Sequence, residues 1–207
     1  MSASLASLKP SKSPFIGCRF VGQDLAPAQL APIAELSMLT SIGALLLKAS
    51  AYGLSHLTRI DAHVSDDIRI IEMPSHRQTS VADDAAFRAA SAHLLATKVQ
   101  LQQYFNQELT AFNLTLAPKG TEFQRDVWQA LVELPFGGVC SYAAIANHIG
   151  RPKAVRAVGA ANGANPIAII VPCHRVIGKD GSLTGYAYGL AMKQHLLNLE
   201  TADFSLR

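Results

Sequence analysis

A cysteine followed directly by a histidine closes an apolar, β-branched run, Ile169-Ile170-Val171-Pro172-Cys173-His174-Arg175-Val176. The thiolate is the nucleophilic form of cysteine, and a nearby imidazole or cation favours it over the thiol. The run reads as a buried strand from Ile167 to Val171 that delivers the cysteine at its end. Neighbours along a strand point to opposite faces, so sequence adjacency alone does not make His174 the base for Cys173. The fold must set that base, and Glu200, near the end of the last helical pattern, is the candidate to orient it. Taken alone, a cysteine after an apolar run is most often an inert core residue.

A second group lies just upstream. The pattern after Pro152 predicts a helix to about Ala161, with Val155 and Val158 toward the core. Its opposite stripe is Arg156, Gly159, Ala160 and Gly163: one long cation, then residues with almost no side chain. Glycine costs a helix about 1 kcal/mol relative to alanine, so its repetition needs a cause. Close helix packing is one. Close approach to a nucleic acid is the other, because the minor groove is only about 6 Å wide. Between Glu133 and Asp180 there is no acidic residue, while Arg151, Lys153, Arg156, Arg175 and Lys179 fall in that stretch. This one-sign segment favours an electropositive surface and an anionic partner.

These residues need elements to hold them. Leu36 to Leu39, Ala44 to Ala49 and Leu54 to Ile60, separated by turn-like Ser41-Ile42-Gly43 and Ser50-Ala51-Tyr52-Gly53, read as a small antiparallel meander. A further strand is expected at Ile68 to Ile71. From Asp83 to about Glu108 the period becomes helical. Asn113 to Gly120 is the expected linker, so the domains are 1–112, with 1–35 as a loosely ordered lead-in, and 121–207. Thr121 and Gln124 fit a capping box ahead of the stripe Phe123, Val127, Ala130, Leu131 and Leu134. Ser141 can cap a helix from Tyr142 to His148, closed by Gly150. Together with the helix after Pro152 this reads as a helix-turn-helix. A final helix carries Met192, Leu196 and Leu199 on one face. The expected class is α+β: an N-terminal sheet with helices, then a mostly helical domain with the helix-turn-helix.

Of the 207 residues, 49% are hydrophobic and 16% charged, which excludes a disordered chain. The net charge of +3 permits an anionic partner without demanding one. Three widely spaced cysteines, Cys18, Cys140 and Cys173, do not form a disulfide framework and fit a reducing compartment. Nothing suggests a signal peptide or a membrane span, so the expectation is an intracellular, cytoplasmic protein.

The signature around Pro172-Cys173-His174-Arg175 resembles the active site of the O6-alkylguanine-DNA alkyltransferases. Thr121 to Trp128, Ser141-Tyr142, Arg151 to Gly159, Asn162 to Pro166, Gly181 to Tyr186 and Leu196 to Glu200 resemble that family's landmarks in the family's order. The likeness covers residues 121–200 strongly and 39–57 and 94–112 more weakly. It implies that Cys173 accepts an alkyl group from a flipped O6-alkylguanine, and leaves open whether O4-alkylthymine is also repaired. His174 would deprotonate Cys173 through a bridging water, and Glu200 would orient His174. Tyr142 would help rotate the nucleotide and donate to the departing guanine. Arg156 would fill the space left in the duplex, with Ala157, Gly159, Ala160, Gly163, Arg151 and Lys153 along the DNA face. Asn165 would tie the helix-turn-helix to the active-site strand. Tyr186, Ala187 and main-chain groups near Val171 and Cys173 would form the base pocket, supported by Pro172 and Arg175. The resemblance also implies a ribonuclease-H-like N-terminal domain, a winged-helix-like C-terminal domain and a monomer on double-stranded DNA with cooperativity open; a thioether product, which has no carbonyl for water to attack, predicts a single transfer per molecule and no cofactor.

The chain departs from the pattern at Ala187-Tyr188, where Tyr188 bears on pocket width, and at Cys140, a second thiol beside Ser141. The zinc ligands of some relatives are not recognisable, so no metal is expected. Two other readings stay open: a DNA-binding regulator that recognises damage without transfer, and a Cys-His hydrolase.

Overall fold

The computed structural model describes residues 17–61, 64, 67–71 and 81–201. The chain divides into two compact units, one running from Gly17 to Lys119 and the other, in its described part, from Gly120 to Thr201.

The first unit is a six-stranded sheet with one long helix. Strands β1 (Arg19–Phe20), β2 (Ala34–Thr40), β3 (Gly43–Ser50), β4 (Gly53–Ile60) and β5 (Arg69–Ile70) precede α1 (Val81–Phe105), and β6 (Thr115–Leu116) follows it. The sheet order is β1-β6-β4-β3-β2-β5. The expected meander is β2-β3-β4, antiparallel, with Thr40 opposite Gly43 and Ser50 opposite Gly53 across two-residue turns. Along β2 the period of two places Ala34, Leu36 and Met38 in the core. On α1, Ala90, Leu94, Thr97, Leu101 and Tyr104 recur every three or four residues and are buried where the helix lies against β2, β3 and β4.

The second unit holds four helices: α2 (Glu122–Val132), α3 (Tyr142–His148), α4 (Val155–Gly163) and α5 (Leu190–Thr201). Two-residue strands β7 (Cys140–Ser141) and β8 (Val176–Ile177) pair in parallel, and Cys173–Arg175 forms a 3-10 turn. The capping box of α2 is present: Gln124 N donates to Thr121 Oγ1, and Thr121 N donates to Gln124 Oε1. Ser141 Oγ accepts from Ala144 N at the start of α3. The α+β reading of the sequence is the fold observed.

Four local expectations are corrected. Ile167 to Val171 is no strand. It is a buried turn closed by Val171 N to Ile167 O, 3.0 Å, with Ile169 at φ +72°. A short apolar run is buried on all sides in either form, so its composition could not separate them. Residues 113–120 are not a free linker, because β6 pairs with β1 and β4 in the sheet. Gly53 permits this: a Cβ there would meet the Thr115 carbonyl oxygen at 2.6 Å. Part of the lead-in is likewise ordered as β1, too short to show a period. Helix α4 starts at Val155 rather than Pro152, because residues 151–154 form a separate turn, Ala154 N to Arg151 O, 2.9 Å.

Candidate active site

Cys173 is held from three directions. The buried turn brings the chain in, and Cys173 N bonds Val171 O at 2.8 Å. Asn165, two residues beyond the end of α4, donates from Nδ2 to Val171 O at 2.8 Å and to Cys173 Sγ at 3.1 Å, while its Oδ1 accepts from Ile167 N at 2.9 Å. Asn162, within α4, donates to the Cys173 carbonyl at 3.4 Å. The helix and the nucleophile are thus joined by two amides. Burial pushes the Cys173 thiol above its ordinary range, opposed by the Asn165 hydrogen bond and by the charge of Lys193. Cys173 therefore rests as a thiol and needs a base.

His174 lies beside it in the 3-10 turn, fully buried. Its Nε2 meets Glu200 Oε1 at 2.7 Å. Arg175 reaches the same carboxylate twice, Nε to Oε2 at 2.8 Å and Nη2 to Oε1 at 3.0 Å, and donates from Nη1 to Leu134 O at 2.6 Å. Gly137 N adds a fourth donor to Glu200 at 3.3 Å. Burial alone would raise Glu200, but His174 and Arg175 together hold its pKa down to about 2. Glu200 is therefore an acceptor only, which places the imidazole proton on Nε2 and leaves Nδ1 with a lone pair. That Nδ1 is buried without a partner among the described residues. Burial lowers the His174 pKa against the pull of Glu200, so the ring rests neutral. Arg175 belongs to this cluster, and also lies over the Phe136 ring at 5.9 Å. Its charge cannot contribute to an electropositive surface, which corrects that part of the sequence reading.

A cavity of about 210 Å³ opens onto Cys173. One wall is α4, through Gly159, Asn162 and Gly163; the other is the loop Gly185, Tyr186, Ala187 and Tyr188, with Tyr142 and Asn165 between. Tyr186 and Tyr188 meet edge to face at 5.7 Å. Tyr142 donates to Thr184 O at 3.4 Å, and burial raises its pKa, so it stays a neutral donor. Tyr186 Oη and Asn162 Oδ1 are buried in this lining without partners among the described residues. Unpaired polar atoms cost free energy when buried, and a ligand with polar edges would relieve them. Val171 and Pro172 are buried behind Cys173 and do not line the cavity.

On the outer side of α4, Arg156, Ala157, Ala160 and Gly163 are exposed, as are Arg151 and Lys153 in the preceding turn. Gly159 is half-buried, and a Cβ there would touch the Tyr142 ring at 3.8 Å. Arg156 and Lys153 make no ion pair among the described residues, and Arg151 lies over the Phe123 ring at 5.9 Å. The remaining cysteines are apart from this chemistry: burial pushes the thiol of Cys18 up to about 11 and that of Cys140 up to about 12. His148 pairs with Glu133 at 2.9 Å.

Sequence reasoning missed Lys193, whose Nζ lies at 2.6 Å from Val176 O and 2.7 Å from Thr184 O. Its signal was legible as spacing: Lys193, Leu196, Leu197 and Glu200 recur at helical intervals and are all buried. Among the described residues, no cluster of histidine, cysteine or carboxylate side chains could hold a metal ion, and no helix is long and apolar enough to cross a membrane.

Residues 122–202 match the family model described as the 6-O-methylguanine DNA methyltransferase DNA-binding domain. A methylated-DNA–protein-cysteine methyltransferase of Methanosarcina barkeri is 47% identical over 159 residues, covering 77% of this chain and 91% of that protein. Its namesake in Mycobacterium leprae is 44% identical over 164 residues, 79% of this chain and 90% of that protein. The crystal structure of Mycobacterium tuberculosis OGT in complex with DNA superposes with a TM-score of 0.65 at 40% identity, over 81% of this chain and 92% of that one.

Proposed function

The chain belongs to the methylated-DNA–protein-cysteine methyltransferases, and from that premise we propose how its own residues repair O6-alkylguanine in DNA. One observation supports the assignment most: α4 is at once the exposed, small-faced helix and a wall of the Cys173 cavity. A helix placed against a duplex by Arg151, Lys153 and Arg156 delivers a base extruded from the stack to the sulfur behind it. Extrusion costs a few kcal/mol, less for a mispaired alkylated base. Arg156 fills the gap left in the duplex. Ala157, Gly159, Ala160 and Gly163 let the helix backbone come close.

The transfer is a displacement at the alkyl carbon. The Cys173 proton passes through a bridging water to His174 Nδ1, the nitrogen that Glu200 leaves with a lone pair. The imidazolium so formed pairs with the Glu200 carboxylate. Sγ forms a bond to the alkyl carbon as the carbon–O6 bond breaks, and that electron pair leaves on guanine. Tyr142 donates a proton or hydrogen bond to the departing base. The unpaired Tyr186 hydroxyl and Asn162 carbonyl oxygen face the base from the cavity wall, beside Asn165, Ala187 and Tyr188. The product is guanine and a thioether. A thioether has no carbonyl for water to attack, so each molecule acts once and requires no cofactor. In this reading residues 120–201 carry DNA binding and transfer, and the protein works with DNA in the cytoplasm.

Intact-mass measurement after incubation with an O6-methylguanine duplex tests this. The expected result is a gain of one methyl group, mapped to the Cys173 peptide. No gain, or repaired guanine in excess of protein, refutes it.

A further inference from the structure

Lys193 is fully buried, yet no carboxylate lies within ion-pair distance of it among the described residues. Burying an ammonium is costly unless its donors are met. Here all three N–H groups have backbone carbonyls: Val176 O at 2.6 Å, Thr184 O at 2.7 Å and Gly185 O at 3.5 Å. A leucine or methionine would fill this helix position without that cost, so the acceptors are the reason for the lysine.

The acceptors lie on two segments with different tasks. Val176 follows the 3-10 turn that carries Cys173 and His174. Thr184 and Gly185 begin the loop forming the far wall of the cavity. Two of that loop's glycines, Gly185 and Gly189, have φ of +48° and +85°, and the backbone bond Gly189 N to Tyr186 O of 3.1 Å lies beyond the acceptors. The Thr184 carbonyl is shared: it accepts from Lys193 and, at 3.4 Å, from Tyr142 Oη. A Cβ on Gly185 would lie 3.5 Å from the same hydroxyl.

We propose that Lys193 is a positioning residue for alkyl transfer, its ammonium fixing the Thr184–Gly185 backbone to the nucleophile's segment and thereby holding the Tyr142 hydroxyl at the cavity, where its proton turns from Thr184 O to the leaving base. It touches neither substrate nor sulfur in this role; it acts through Thr184 on Tyr142. The inference rests on the alkyl-transfer reading above.

Single-turnover transfer from a saturating O6-methylguanine duplex, with DNA affinity measured separately, tests it. K193M keeps the chain length and removes the donors. Its bound-state transfer rate is expected to fall by about tenfold, the kinetic scale of 1.4 kcal/mol, with DNA affinity unchanged. Y142F should also slow transfer, and K193M/Y142F should be no slower than the worse single variant, because both changes disable one donor. A purely structural lysine would not give that non-additivity. If the melting curve shows K193M unfolded, K193R takes its place under the same cycle: it keeps the charge but its planar fork cannot meet the three acceptors alike. A native rate in the variant that folds, or losses that multiply in the double variant, overturns the proposal. Failure of the native chain to gain a methyl group would instead overturn the alkyl-transfer reading.

Discussion

Among the described residues between 17 and 119 the buried polar or charged side chains are Ser50, Ser55 and Thr97, all neutral; between 120 and 201 they are Asn162, His174, Arg175, Lys193 and Glu200. The first unit answers its buried hydroxyls locally, Ser55 Oγ donating to Lys48 O at 3.0 Å and Thr97 Oγ1 to His93 O at 2.7 Å. Its core is otherwise aliphatic and aromatic, from Leu36 and Leu45 to Leu101, Tyr104 and Phe112. The second unit keeps His174, Arg175, Lys193 and Glu200 away from water and pairs them with each other and with backbone groups, leaving His174 Nδ1 without a partner among the described residues. Such a network stabilises a fold less than an apolar core of the same volume, and breaking one member leaves the others uncompensated. One unit is therefore built to be stable, and the other to hold charges in fixed places for a reaction.

The sharpest break of this contrast is at the nucleophile. Cys173→Ala should abolish transfer while leaving DNA binding and melting temperature near native, read by intact mass and a binding titration; residual methylation would move the acceptor elsewhere. Glu200→Gln should cost about 3–5 kcal/mol of stability, the scale for removing one partner of a buried ion pair. It should also change the response to acid. The Glu200 pKa lies at about 2 instead of 4.5, so it stabilises the fold above pH 4.5 and loses that contribution as pH falls toward 2. Denaturant melts between pH 5.5 and 3 should show a smaller loss in the variant, and parallel curves would contradict the assigned ion pair. Leu47→Ala, in the aliphatic core of β3, should cost about 2–5 kcal/mol and leave the transfer rate of folded, DNA-bound protein unchanged. A slowed rate there would break the contrast between the units.

Smaller effects belong to the outer face of α4. Arg156→Ala should slow repair of duplex DNA by about ten- to a hundredfold, the scale of the few kcal/mol that nucleotide extrusion costs, with little change toward free O6-alkylguanine. Equal slowing of both would remove Arg156 from the extrusion step. Lys153→Ala should weaken binding uniformly across sequences and lower the slope of log affinity against log salt by about one.

Long, periodic elements were legible from the sequence: β2-β3-β4 by their alternation, α1 by its helical stripe, and α2 and α3 by side chains that cap them. The candidate site was legible in its residue types, since cysteine, histidine, glutamate and a glycine-bearing helix carry chemistry or close approach in their composition. Three things were hidden. The turn at Ile167 to Val171 looked like a strand because a run buried on every side has no period to betray its form. Strands β1 and β6 each have two residues, and their pairing depends on residues almost a hundred positions apart. Arg175 counted toward an electropositive surface because only the folded chain shows the Glu200 carboxylate and Leu134 carbonyl that surround it.

The chain has a single tryptophan, and its indole Nε1 donates to Ala161 O at 2.9 Å, linking α2 to α4. Trp128 is 1% exposed, with Gly120 so near that a Cβ there would lie 2.6 Å from the ring. Tryptophan emission of this protein therefore has one source, seated against α4. A shift in its emission on mixing with DNA would report strain or tilt of α4 without any attached dye. Stopped-flow traces could then separate docking of the helix from the slower gain of mass at the sulfur.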